Sequence, residues 1–262
     1  MEKIEYKDLL NAGVHFGHLT RKWNPKIAPY VFMEKNGIHI IDLNKTLVSL
    51  DEAANAIKSI VKSGRKVMFV ATKKQAQEVV SEEAKRLRMP FVTDRWLGGM
   101  MTNFATIRKS LRKMSSIDKL TKEEAYQNLA KRERLMLTRE REKLEKVLGG
   151  ISDLTRLPAA LFVVDIKREH IAVKEAKKLN IPVIGMVDTN SDPNEVQYPI
   201  PANDDAYKSI SLIVKYIGKA VEEGLIERKQ QKEEAKMKEE AESKKQADEK
   251  EELESKESGS EK

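Results

Sequence analysis

Apolar residues along this chain follow two rhythms. Uninterrupted runs occur at 66–71 (KVMFVA), 161–165 (LFVVD) and 183–187 (VIGMV). Runs of this length, rich in β-branched residues, read as strands buried on both faces. Phe91 and Val92 after Pro90 add a shorter strand. At 46–61, 75–87, around 170–179, and from Asp204 or Asp205 through Val221, apolar or alanine positions recur three and four apart, as on a helix with one buried face. Strand, helix, strand repeated this way implies parallel strands with right-handed crossovers. The expected fold class is therefore α/β, a three-layer Rossmann/flavodoxin-like parallel sheet.

The alternation breaks between 103 and 148, a stretch without glycine or proline. Ile107, Leu111, Met114 and Ile117 give one helical stripe, and Tyr126, Leu129, Leu137, Leu144 and Leu148 give a looser second one. Thr121 with Glu124 matches a capping box. The insertion thus reads as an antiparallel, coiled-coil-like hairpin whose second helix, about 27 residues long, would reach about 40 Å. The expected division is an α/β/α body at 1–102 and 149–224, a self-contained hairpin at 103–148, and a charged tail at 225–262. That tail is rich in Lys and Glu and too poor in large apolar residues for a core, so it is disordered or a lone solvated helix.

Charge sharpens this picture. The tail holds 10 basic and 13 acidic residues, leaving 39 basic against 29 acidic in the first 224, a net +10. The segment 105–146 alone carries 13 basic and 7 acidic residues. Such an excess favours a polyanion, because cations that neutralise phosphates release condensed counterions; an anionic membrane surface is the competing partner. No stretch approaches the roughly 20 apolar residues of a membrane span, and no apolar signal core opens the chain, so the protein is expected to stay where it is made. The absence of cysteine excludes disulfides and thiolate metal sites.

Enzyme chemistry needs a constellation that the sequence does not supply. A dinucleotide fold places a glycine-rich turn after its first core strand. Here that strand ends Ala71-Thr72-Lys73-Lys74-Gln75, with two long cations where phosphate would sit. Gly98-Gly99 and Gly149-Gly150 flank the hairpin and are expected to set left-handed turns and a helix cap. There is no G-x-S-x-G elbow. A structural divalent ion is conceivable at Asp188, Asp204 and Asp205, with Asp192, His15 and His18 nearby in type. Against it stand ordinary roles, Asp204 or Asp205 as a helix cap and Asp188 as a turn residue.

Gly13-Val14-His15-Phe16-Gly17-His18, Arg21 to Lys26 (RKWNPK) and Asn36 to Leu43 (NGIHIIDL) closely resemble the opening of the bacterial ribosomal protein S-two family. Four later blocks match in order: Ala71 to Ala76, Arg95 to Met100 with Thr102-Asn103-Phe104, Leu148 to Ile151, and Val187 to Asn190 with Asp192-Pro193 and Pro199 to Ala206. The resemblance runs from about 4 to 224 and departs at Ala202, where many relatives have glycine. It implies a structural, non-catalytic protein of the cytoplasmic ribosome, bound to small-subunit ribosomal RNA and neighbouring proteins, which helps anchor the messenger-recruiting protein S-one. It implies no cofactor, no membrane and no small-molecule substrate.

Residues that touch RNA should pair cations with planar groups that stack on exposed bases. The candidates are Arg21, Lys22, Trp23 and Lys26 in the first turn, Lys73 and Lys74 after the strand, Arg95, Trp96 and Asn103 before the hairpin, and the stripe Arg108, Lys109, Arg112 and Lys113 on its first helix. The alternative function is a free-standing α/β enzyme or nucleotide-binding module with a helical arm.

Overall fold

The apolar runs become the middle of a parallel sheet. Its strands are β4 (Val67–Val70), β5 (Phe91–Val92), β6 (Ala160–Val164), β7 (Val183–Val187) and β8 (Tyr198–Pro201), ordered β5-β4-β6-β7-β8. This is the flavodoxin-like order, with its topological switch point between β4 and β6. The computed structural model describes residues 4–258 apart from 124, 125 and 127. The alternating prolines of β8 masked it in the sequence. On an edge strand a residue without an N–H can face outward with no ladder bond lost.

Side chains alternate across the sheet into two cores. Phe69, Phe162 and Ile184 enter one with α2 (Leu43–Lys62), α3 (Lys74–Arg86) and the first turns of α7 (Tyr207–Ser258). Met68, Val70, Leu161 and Val163 enter the other with α6 (His170–Lys178). The expected three layers are present. Beyond Gly224 the sequence allowed disorder or a lone helix; in the structure that segment prolongs α7 to Ser258.

The insertion forms α4 (Phe104–Leu120) and α5 (Lys131–Leu148), and here two expectations are corrected and a third is not clearly shown. First, α5 has 18 residues, spanning about 27 Å at 1.5 Å each. Thr121 is the C-cap of α4, its hydroxyl donating back to the Asp118 carbonyl, and Glu124 lies outside the described residues. Second, the hairpin is not self-contained. It is the crossover from β5 to β6, and Ile107, Leu111, Met114 and Leu148 pack in the second core with Val70 and Val92. Third, the matched apolar seams of a coiled coil are not shown. Leu148 is the one buried residue of α5, and Lys113–Glu140 and Asp118–Arg141 ion pairs tie the helices together.

The first forty residues build a unit of their own. After α1 (Tyr6–Asn11) come β1 (Phe16–Leu19), β2 (Val31–Lys35) and β3 (Ile38–Ile41), an antiparallel sheet ordered β1-β3-β2. Its inner face lies against the carboxyl ends of the large sheet. Gly17 permits that approach, since a Cβ there would sit 2.5 Å from Thr189.

One carboxylate sets the path into the hairpin. Glu175 on α6 accepts from Trp96 Nε1 (3.1 Å), Gly99 N (2.7 Å), Met101 N (2.9 Å) and Thr102 N (3.0 Å). Gly99, at φ +86°, makes the left-handed turn that aims those amides inward. Gly150 has a different reason from the turn expected of it: a Cβ would overlap the Phe91 carbonyl. Burial alone would raise the Glu175 carboxyl; the donors outweigh it and hold it below the usual carboxylate range. Glu175→Gln should lower stability by about 2 kcal/mol, because a carboxamide turns an N–H toward donors and strands them. With a depressed folded value, the contribution of Glu175 is complete above the ordinary carboxylate range and lost as pH falls through the folded value. Urea titrations of both proteins should therefore show the gap at neutral pH and its narrowing in acid.

Candidate RNA interface and ion site

β4, β6, β7 and β8 deliver Lys73, Asp165, Asp188, Asp204 and Asp205 to the carboxyl end of the sheet, where open α/β folds bind ligands. Lys73 Nζ lies 2.7 Å from Asp204 Oδ1, 2.6 Å from Asp205 Oδ1 and 3.5 Å from Asp165 Oδ2. Asp165 stands at φ +64°, a left-handed conformation that aspartate tolerates better than most residues. Beside it Glu169 accepts from Thr72 N at 3.0 Å and from the Thr72 hydroxyl. The crevice at the switch point is thus filled by this chain's own charges.

The cluster continues into the small sheet. His18 of β1 has Nδ1 3.0 Å from Asp188 Oδ2 and Nε2 3.4 Å from Asp205 Oδ2. Its hydrogen bond to Asp188 raises the imidazole above the ordinary histidine value, against the opposing effect of burial. Asp204, fully buried, is pushed up to about 7 by burial first and then by Asp188 and Asp165. Its Oδ2 has no hydrogen-bond partner among the described residues. One ligand atom each from His18, Asp188, Asp204 and Asp205 lies within 4.8 Å of the others. A tetrahedral ion with bonds of about 2.0–2.1 Å spaces its ligands at about 3.3 Å, so the most widely spaced of these atoms would have to draw together by up to about 1.5 Å to hold one.

Several candidates take other places than expected. Lys73 was expected to meet phosphate, but it is buried and bonded to carboxylates that outweigh its desolvation and hold its ammonium well above the ordinary lysine value. Trp96 was expected at the RNA surface, but it is 6% exposed and donates to Glu175. Neither Asp204 nor Asp205 caps α7; the Asn203 carboxamide accepts from Asp205 N (2.8 Å) and Ala206 N (3.2 Å) and closes the turn that precedes the helix. Asp188 is the turn residue expected, accepting from the Thr189 amide and hydroxyl, and it also faces His18. His15 and Asp192 stand outside the cluster.

The other candidates are at the surface. Arg21, Lys22 and Trp23 are exposed on the turn after β1, and Asn24 fixes that turn by accepting from Lys26 N. Trp23 stacks against His39, ring centroids 4.8 Å apart. With Lys22 and Asn24 it lines a groove of about 420 Å³ closed by Lys167, His170 and Asn190. Lys26 is exposed but bonded to Asp192 at 2.6 Å. Lys74 opens α3, exposed, and Arg95 is exposed beside buried Trp96. Asn103 caps α4, and its carboxamide accepts from Thr106 Oγ1 at 2.9 Å. Arg108, Lys109, Arg112 and Lys113 all lie on the solvent side of α4, Lys113 paired with Glu140.

Asp165 was missed although it closes a strand run with a carboxylate, a signal available in the sequence. Glu175 had none, since one glutamate in a helix looks like any solvated one. The two adjacent lysines now differ in kind, and this is measurable. Lys73→Ala strands buried carboxylates and should lower stability by about 3 kcal/mol or more. Lys74→Ala should stay within about 0.5 kcal/mol of the parent. Urea unfolding midpoints of the two variants check the contrast, and equal values refute it.

The sequence matches the family described as Ribosomal protein S2 over residues 9–224. It is 72% identical over 236 residues to the small ribosomal subunit protein uS2 of Cytophaga hutchinsonii, covering 90% of this chain and 93% of that one. Identity to the protein of the same name from Parabacteroides distasonis is 61% over 236 residues, 90% of this chain and 85% of the relative. For Flavobacterium johnsoniae it is 63% over 231 residues, 88% and 91%. The match takes in both sheets, the crossover hairpin and the carboxylate cluster, and the chain belongs to the ribosomal protein S2 family, structural proteins of the small ribosomal subunit and not enzymes.

Proposed function

We propose that this chain binds small-subunit ribosomal RNA as a structural component of the cytoplasmic ribosome, touching neighbouring proteins and helping to hold the messenger-recruiting protein S-one. The observation that carries the RNA reading is the disposition of its cations. Arg21, Lys22, Lys74, Arg95, Arg108, Lys109 and Arg112 are exposed and make no ion pair among the described residues. Lysine and arginine left unpaired on turns and a helix flank are free to neutralise phosphates. The nucleotide-binding alternative loses its site, because Lys73 and its carboxylates fill the switch point. No described helix is long and apolar enough to cross a membrane. The S-one role rests on the family resemblance.

The same reading includes a structural divalent ion held by Asp188, Asp204, Asp205 and His18. Four carboxylates, with Asp165, face one ammonium and one imidazole. Lys73 engages the Oδ1 atoms of Asp204 and Asp205, which leaves Asp205 Oδ2 toward His18 and the buried Asp204 Oδ2 without a hydrogen-bond partner among the described residues. An ion there would supply positive charge to the buried Oδ2 of Asp204 and tie β1 to β7 and to the start of α7.

Purified protein should bind small-subunit RNA with strong salt dependence. Arg21→Ala and Arg95→Ala should each lower the slope of log K against log salt by about 0.7–0.9. Each should leave thermal stability within about 0.5 kcal/mol of the parent. Salt-insensitive binding by the parent refutes the RNA reading. For the ion, elemental analysis of protein purified without chelator should find close to one divalent metal per chain, and chelation should lower the melting temperature. If no metal co-purifies and none raises the melting temperature, the carboxylates form a charge network alone.

A further inference from the structure

A cavity of about 640 Å³ opens at the β5 edge of the large sheet. Four cations from separate parts of the chain line it: Lys66 just before β4, Lys85 and Arg88 at the end of α3, and Lys146 near the end of α5. Lys66 and Met89 precede their strands, so the cavity sits toward the amino ends of the sheet, opposite the Lys73 network. Met89, Phe91, Val147 and Leu154 give it an apolar wall, and Lys85 lies over the Phe91 ring, 5.8 Å from the centroid. Its size and its mixture of apolar surface with a few convergent charges are those of a small-molecule pocket.

The charges are poorly answered within the chain. Lys66, Lys85 and Arg88 are exposed and make no ion pair among the described residues, while Lys146 is 3.4 Å from Asp94. Of the two acids in the wall, Glu145 is bonded to Arg141, which leaves Asp153. Cations at the ends of α3 and α5 complement the helix dipoles. That role is already served on α3 by Arg86, bonded to Glu83 and Glu222, and Lys66 belongs to no helix. A cleft lined by one sign of charge beside apolar walls focuses its field and concentrates counter-ions.

Arg88 is kept at a local cost. Among the described residues four non-glycine positions have positive φ, and Arg88, at +54°, is the one that is neither asparagine nor aspartate. It follows α3 at the left-handed position where Met89 N reaches back to the Ala84 carbonyl (2.9 Å), a place that usually falls to glycine. Glycine would make the turn with less strain. What arginine adds is a side chain in the cavity wall, of a kind that bonds phosphate oxygens in pairs.

We propose that this cavity binds a free nucleoside polyphosphate, with its phosphates on Arg88, Lys66, Lys85 and Lys146 and its base on the apolar wall beside Phe91. The terminal phosphate of such a ligand carries about −1.5 to −2 at neutral pH, which suits the unanswered cations. Its ring system covers apolar surface that inorganic phosphate would leave bare. The site is separate from the turn cations, from the α4 stripe and from the filled switch point, and it does not depend on the RNA-binding reading.

The test is calorimetric titration of the full chain with ATP, with inorganic tripolyphosphate and small-subunit RNA as comparison probes. ATP should saturate a single site and bind more tightly than tripolyphosphate. Arg88→Gly should weaken ATP binding by about 10- to 100-fold, the range for a hydrogen-bonded charge, while its melting temperature stays level or rises as the strained turn relaxes. Lys66→Gln, outside any helix, should weaken binding by about 2- to 5-fold and serves if Arg88→Gly folds poorly. No saturation by ATP below about 1 mM overturns the proposal, as does unchanged ATP affinity in both variants. Tripolyphosphate binding as tightly as ATP overturns the nucleoside assignment. If the variants lose RNA affinity and salt slope while the parent ignores ATP, the cavity belongs to the RNA surface and the proposal is wrong.

Discussion

The ion network centred on Lys73 joins, in one set of contacts, parts of the chain that lie far apart in sequence. β4 and α3 meet at this lysine, and its partners come from the end of β6 and from the junction between β8 and α7. Through Asp205 and Asp188 the same charges reach His18 and the small antiparallel sheet. A desolvated ammonium is tolerable only while carboxylates surround it, and the buried carboxylates only while it is present. The network thus couples the closing of the large sheet to the docking of the amino-terminal unit. In doing so it takes the place that a nucleotide would occupy in a sheet of this order.

Glu175 plays a comparable part on the opposite face. Its carboxylate gathers the amides between Trp96 and Thr102, so the chain leaves the sheet edge along one path and α4 starts in one orientation. The hairpin is consequently both cover and exposed arm. Its inner stripe seals the second core, while its outer faces carry the cations. One element serves stability and surface chemistry at once, because a helix can present different residues on each side.

Much of this was legible in the sequence because burial imposes a period. The strands at 67–70, 160–164 and 183–187 and the stripe Ile107, Leu111, Met114, Ile117 lie where the apolar rhythm put them. β8 was hidden because prolines mask a strand whose outward edge needs no donors. The second hairpin helix read too long because its polar residues suit helix and loop alike, and no apolar position marked the turn. At the site, the sequence singled out Asp188, Asp204 and Asp205 correctly as neighbours but could not show that Lys73 belonged with them. A lysine signals its charge in sequence; whether it faces solvent or a buried carboxylate depends on contacts more than a hundred residues away.

The packing of α7 bears on how the protein is made. Ile210, Ile213, Ile217 and Val221 complete the core laid down by α2 and α3. On a nascent chain, those helices emerge more than a hundred residues ahead of the segment that covers them, and their apolar faces must wait. Parallel strands joined by crossovers already depend on distant contacts, which slows folding and lengthens the exposure of sticky surface. The body can therefore close only after the first turns of α7 have been made. Its competence to assemble arises in a single late step, and an mRNA truncated before the last strand would yield a product suited to degradation, with no half-functional domain to compete for the subunit.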